Sequence, residues 1–162
     1  MSKTFTVGFG VAVFAIILLI WFGFIQTKGN HLAPSGWISD IRTQALADDL
    51  TLMIIDFGVL NDSDQQMVTG VIDPWITTPG GNNIHGTLYS GGDMAKTFAF
   101  YPKLGPQVNQ PLLLRGAIDG HKTVNRMVAV EFDVPQRVVD SRRGITLHLE
   151  DITGAEVEMT GK

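Results

Sequence analysis

Residues 50–60, Leu-Thr-Leu-Met-Ile-Ile-Asp-Phe-Gly-Val-Leu, decide the fold. Side chains along a strand alternate between its two faces. At that period Met53, Ile55, Phe57 and Val59 share one face, and Leu52, Ile54 and Asp56 share the other. The first face is wholly apolar and belongs against a core. The second carries two large aliphatic side chains, so it needs cover of its own, from a lid or from another subunit. Asp48-Asp49 precede the stretch and Asn61-Asp62-Ser63-Asp64 follow it. Such Asx clusters start turns, because their side chains bond nearby backbone groups.

Outward from this strand the texture repeats: short apolar runs between turn signals. Residues 37–46 form the preceding strand. Residues 67–76 form the following one, and Pro74 within it suggests an edge or a bend, since proline donates nothing to a ladder. Thr78-Pro-Gly-Gly-Asn-Asn is a loop, and residues 84–89 make a short strand. Gly91-Gly92-Asp93 opens a short helix over residues 94–100, with Asp93 as its cap; Tyr101-Pro-Lys-Leu-Gly-Pro ends it. Residues 112–118 return to strand, Asp119-Gly120 turn, and residues 123–134 make a long strand with Val124, Val128, Val130, Phe132 and Val134 inward. Residues 135–143 connect, with one helical turn. Residues 145–150 alternate Ile145, Leu147, Leu149 in against Thr146, His148, Glu150 out. A turn at 151–154 leads to a last strand at 155–159. Seven or so strands with turns every 8–12 residues predict an all-β, antiparallel sandwich.

The N-terminus has a different texture. Residues 5–25, FTVGFGVAVFAIILLIWFGFI, hold no charged side chain. As a helix the run is about 30 Å long, the thickness of a bilayer's hydrocarbon core. It exceeds a secretory h-region and lacks a small-x-small cleavage pattern, so it is expected to stay as a signal anchor. The expected organisation is a cytoplasmic tail at 1–4, a transmembrane helix at 5–25, a juxtamembrane linker at 26–36 and a sandwich domain at 37–160. The expected location is a bacterial inner membrane, N-terminus in the cytoplasm and domain in the periplasm. Trp21 and Phe22 then sit at the outer interface.

Bulk composition narrows the function. The chain has 162 residues and no cysteine, which excludes disulfides, thiolate metal sites and thiol catalysis. From Gln26 onward 16 acidic residues face 11 basic ones. That balance argues against nucleic acid as a partner, which needs clustered cations.

Two stretches resemble a known family. Asp56-Phe-Gly-Val-Leu-Asn-Asp-Ser-Asp64 and Ile118-Asp-Gly-His-Lys-Thr-Val-Asn-Arg-Met-Val-Ala-Val-Glu-Phe-Asp-Val-Pro135 resemble bacterial immunoglobulin-like envelope domains of the telokin-like, DUF4352 type. The resemblance covers about half the domain through turn chemistry and strand alternation. It implies an immunoglobulin-like fold and a secreted or membrane-tethered, non-catalytic module. It carries over no site residue.

The chemistry-bearing residues are sparse. His31, His85, His121 and His148 are far apart in sequence, with no H-x-H or H-x-x-x-H pair for zinc, so they are expected as surface histidines. Asn61-Asp62-Ser63-Asp64 lacks the glycine and the twelfth-position glutamate of an EF-type calcium loop; a turn is the preferred reading, adventitious calcium the other. Ser90-Gly-Gly-Asp93 is not a nucleophile elbow, and the paired glycines lack phosphate-loop spacing. No catalytic, cofactor or metal residue is expected, nor is an enzyme. An anchor helix without ionisable groups leaves haem no ligand. The partner-binding candidates are Phe98, Phe100, Tyr101 and Leu104, an aromatic cluster outside either sheet whose other reading is a lid over the sandwich edge, with Trp21 and Phe22 of the anchor. The expected function is an accessory or scaffold subunit of a larger membrane assembly, respiratory or photosynthetic for example, whose partners are the lipid bilayer and other integral membrane subunits. The alternative is a tethered periplasmic ligand-binding or envelope-sensing module using the loops around residues 75–89.

Overall fold

The computed structural model describes residues 13–18, 21, 34–89 and 94–162. Two compact units divide the chain, Met1–His31 and Leu32–Lys162. In the first, residues 13–18 and Trp21 are helical and exposed. The rest of the expected anchor, Phe22 included, lies outside the described residues. Among the described residues no helix is long and apolar enough to cross a membrane.

The second unit is a sandwich of two sheets. Its strands are β1 (Pro34–Ala47), β2 (Leu50–Asn61), β3 (Met67–Thr77), β4 (Asn83–His85), β5 (Thr87–Leu88), β6 (Gln110–Pro111), β7 (Ala117–Ile118), β8 (Lys122–Phe132), β9 (Gly144–Asp151) and β10 (Glu156–Gly161). One sheet runs β1-β2-β8-β5 with β6 also on β8; the other runs β10-β9-β3-β4 with β7 also on β3. All pairings are antiparallel except β6 with β8. The core between the sheets contains Met53, Ile55, Phe57 and Val59, as the alternation requires. They meet Ile72 and Ile76 of β3, Leu147 and Leu149 of β9, and Val130 and Phe132 of β8.

Several strands differ from expectation. Ten replace about seven, because four are only two or three residues long. The linker ends earlier: Pro34, Ser35 and Gly36 already pair with Asn61, Leu60 and Val59. Pro34 is the first residue of its strand, where a missing N–H does least harm. Pro74 marks a local edge of β3. It pairs with Leu147 of β9 on one side; on the other, β4 reaches only Trp75, and the Pro74 carbonyl accepts from the Gly86 N–H at 2.8 Å. Carbonyl and nitrogen of one strand residue point to the same side. The missing donor therefore faces the place where β4 has just ended.

The expected strand at 84–89 is two strands in two sheets. The chain leaves the second sheet at His85 and joins the first at Thr87. Gly86 makes the crossing, and a Cβ there would lie 2.9 Å from the Phe132 ring and closer still to Val130. The expected strand at 112–118 shrinks to Ala117–Ile118, because the backbone turns at Arg115, whose φ is 64°. The helix at Met94–Phe100 forms as read, and Gln136–Asp140 supplies the helical turn in the connector. The Asp93 cap lies outside the described residues.

Candidate functional site

The outer face of the first sheet is covered. Leu52 and Ile54 of β2 and Met127 and Ala129 of β8 point away from the main core, and Phe98 and Leu104 bury themselves upon them. The helix Met94–Phe100 does this by helical spacing. Met94 and Phe98, four apart, meet the sheet, and Tyr101 continues that stripe. A single turn of 3-10 helix, Pro102–Leu104, then places Leu104 at 0% exposure. Burying a side chain of this size is worth about 1.5–3 kcal/mol. Phe100 points the other way: it is 75% exposed and meets Tyr101 edge to face, ring centroids 4.8 Å apart.

A buried ion pair locks this cover in place. Asp56, two residues after Ile54 on the same face, is 2% exposed and pairs with Arg42 of β1. Arg42 also donates to the carbonyls of Leu104 and Pro106, the latter at 2.9 Å, and its guanidinium carbon lies 5.3 Å from the Phe98 ring centroid. Its Nε is 3.3 Å from Asp40. Asn109 donates to the other Asp56 oxygen at 2.7 Å. A charge-assisted network thus ties β1, β2 and the covering segment together. Further along the same face Gly58 lies under the Trp37 indole, where any side chain would overlap the ring.

Beside the cover is a cleft of about 550 Å³. Leu88, Tyr89, Met94, Met127 and Ala129 line it, with Leu112, Leu113 and Leu114 on the returning chain. Leu113 and Leu114 are exposed, as are Phe100 and Val108. Of the partner candidates, Phe98 and Leu104 are therefore internal and offer no exposed contact, Tyr101 is half-buried, and Phe100 faces solvent. Trp21 is exposed in the N-terminal unit.

The outer face of the second sheet is bare and polar. Asp73 and Trp75 of β3, His148 and Glu150 of β9, and Glu156 and Glu158 of β10 stand on it in adjacent rows. Trp75 lies between two imidazoles, His85 at 5.5 Å and His148 at 6.5 Å between centroids. The His85 Nδ1 is 2.9 Å from Asp73.

Two of the remaining candidates resolve into local structure; His31 and Ser90-Gly-Gly-Asp93 lie outside the described residues. The Asn61 side chain is buried and donates to the carbonyls of Gln65 and Ile118 at 2.7 and 3.1 Å, while its own oxygen accepts from Ser63. The preferred turn reading holds: Asn61 is the organiser of its own loop. His121 takes a left-handed φ of 53° and bonds Asp64 at 2.8 Å. That hydrogen bond, opposed by slight desolvation and aided by the charges of Asp64 and Asp62, raises its pKa above the ordinary histidine value. Burial lowers the Arg142 pKa against the pull of Asp140. Asp151 is desolvated, which would raise its pKa, but hydrogen bonds from Thr153, Val68 and Ile152 outweigh that and lower it.

Sequence reading missed two groupings. Arg42 and Asn109 converge on Asp56 from 14 and 53 residues away, with no local pattern to announce them. His148, Glu150 and Glu156 come together across one hairpin, with ligand atoms within 4.8 Å of one another. Strand alternation and the turn between β9 and β10 could have revealed that trio; a search for local histidine pairs could not.

No family model matches the chain, the telokin-like envelope family included, and no curated protein matches it. The chain is similar to an uncharacterized β-sandwich protein from Clostridium difficile 630, known from its crystal structure. Identity is 14%, 82% of each chain is covered, and the TM-score is 0.32.

Proposed function

We propose that this protein is a non-catalytic accessory or scaffold subunit of a larger membrane assembly. In this reading residues 5–25 anchor it in a bacterial inner membrane, and an immunoglobulin-like sandwich stands in the periplasm. The observation that carries the reading is where exposed apolar side chains fall. Of the seven large hydrophobic residues exposed among the described part of the sandwich unit, four (Phe100, Val108, Leu113 and Leu114) belong to residues 94–116, and Leu113 and Leu114 line the cleft. Apolar side chains concentrated on one exposed segment suit docking of another chain. The partner it fits is an apolar helix or loop of an integral membrane subunit, which the uncharged anchor also suits.

Purification of the full chain from native membranes in mild detergent tests this. The wild type is expected to elute with partner subunits, and Phe100→Asp combined with Leu113→Asp to elute without them. Recovery of the wild type only as a free monomer overturns the proposal. The alternative, a periplasmic ligand-binding or sensing module, draws on the cleft itself, whose volume falls within the range of small-molecule sites. A ligand-dependent rise in melting temperature with no co-eluting subunit favours that alternative.

A further inference from the structure

We propose that His148, Glu150 and Glu156 bind a divalent transition-metal cation of the zinc class on the bare face of the second sheet. His148 and Glu150 are two apart on β9, so both side chains leave the same face. Glu156 of β10 is the register partner of Glu150, and Glu158 is the partner of His148. The donor atoms of the trio already lie within 4.8 Å of one another. Zinc takes imidazole nitrogen and carboxylate oxygen at about 2.0–2.2 Å, so small rotations suffice to bring all three onto one ion.

Three further observations favour a cation over a merely solvated face. Glu150 and Glu156 stand directly opposite each other, an arrangement that repels. Among the described residues neither has a lysine or arginine partner. Trp75 lies beside the His148 ring, centroids 6.5 Å apart, and the neighbouring carboxylate, Asp73, is engaged by His85 rather than by His148. The imidazole selects against calcium and magnesium, which prefer all-oxygen shells. With three protein ligands the ion keeps a position for water, or for Glu158.

The test uses the full chain in detergent, stripped with chelator and titrated with zinc chloride in a calorimeter. One zinc per chain is expected. His148→Ala and Glu156→Gln are each expected to weaken binding at least tenfold, and His121→Ala, which removes the separate cluster with Asp62 and Asp64, to leave it within about twofold. Zinc at a hundredfold excess over its wild-type Kd is expected to raise the wild-type melting temperature by about 5–10 °C and that of His148→Ala by no more than about half as much. Zinc-free melting of each variant, expected at the wild-type temperature, separates lost ligation from lost folding. Absence of zinc binding by the wild type, unchanged affinity in His148→Ala, or loss of binding in His121→Ala instead overturns the proposal.

Discussion

The two outer faces of this sandwich have the same strand alternation and opposite fates. On the first sheet the outward positions are Leu52, Ile54, Met127 and Ala129, and a helix and a 3-10 turn bury them. On the second they are Asp73, Trp75, His148 and Glu150, and they stay partly exposed. Period two predicts which residues share a face, but only their chemistry decides whether that face needs a roof. The roof in turn needs a fastening. Here it is the Arg42–Asp56 pair, buried at the centre of the covered face; the bare face has no equivalent among the described residues.

The sharpest way to break the contrast is to cut that fastening. Arg42→Met leaves the Asp56 carboxylate buried without its charge partner and is expected to cost about 3–5 kcal/mol in denaturant unfolding. Adding Asp56→Leu is expected to recover a good part of the loss, because removing both charges abolishes the desolvation problem. A double variant no more stable than the single one would mean that the pair does not act as a unit. Next in size, Leu104→Ala empties a fully buried site beneath the cover and is expected to cost about 2–5 kcal/mol, whereas Val71→Ser on the bare face changes stability by about 0.5 kcal/mol or less. Equal effects at the two positions would erase the distinction between the faces.

Acid titration probes how the second sheet closes its last hairpin. The Asp151 pKa is lowered in the folded protein, so its contribution is fully present above the unfolded value of 3.8. That contribution is lost as pH falls from there through the folded value. Asp151→Asn is expected to flatten the acid limb of the stability curve and to lower the plateau above about pH 5. The smallest expected effect belongs to His121, which is solvent-exposed and has a raised pKa. Its contribution is present below 6.5 and lost as pH rises through the folded value, so His121→Ala is expected to remove a shallow decline on that side.

Much of this architecture was legible in the chain, for reasons that particular residues make plain. β2 announced both of its faces because apolar residues occupied both sets of alternate positions. The helix Met94–Phe100 followed from a turn cluster before an apolar run with helical spacing. Residues 84–89 misled because the pattern within a strand says nothing about which sheet it joins; Gly86 alone lets it change sheets. Residues 112–118 misled because Leu113 and Leu114 look like strand core and are exposed. Pro74 signalled an edge, and the edge is a local one, where β4 has stopped beside β3. The partner candidates divided in the same way. For Phe98 and Leu104 the lid reading holds, since they cover Leu52 and Ile54, while Phe100 stays exposed.

Both ends of the covering excursion are stitched to one strand. Leu88 pairs with Val130 and Pro111 with Met127, so the chain departs from β8 and returns to it only a few rungs away. Whatever lies between those stitches can be lengthened, shortened or exchanged without rethreading either sheet, provided the oily patch underneath stays sheltered. The sandwich is thus a frame with one replaceable panel.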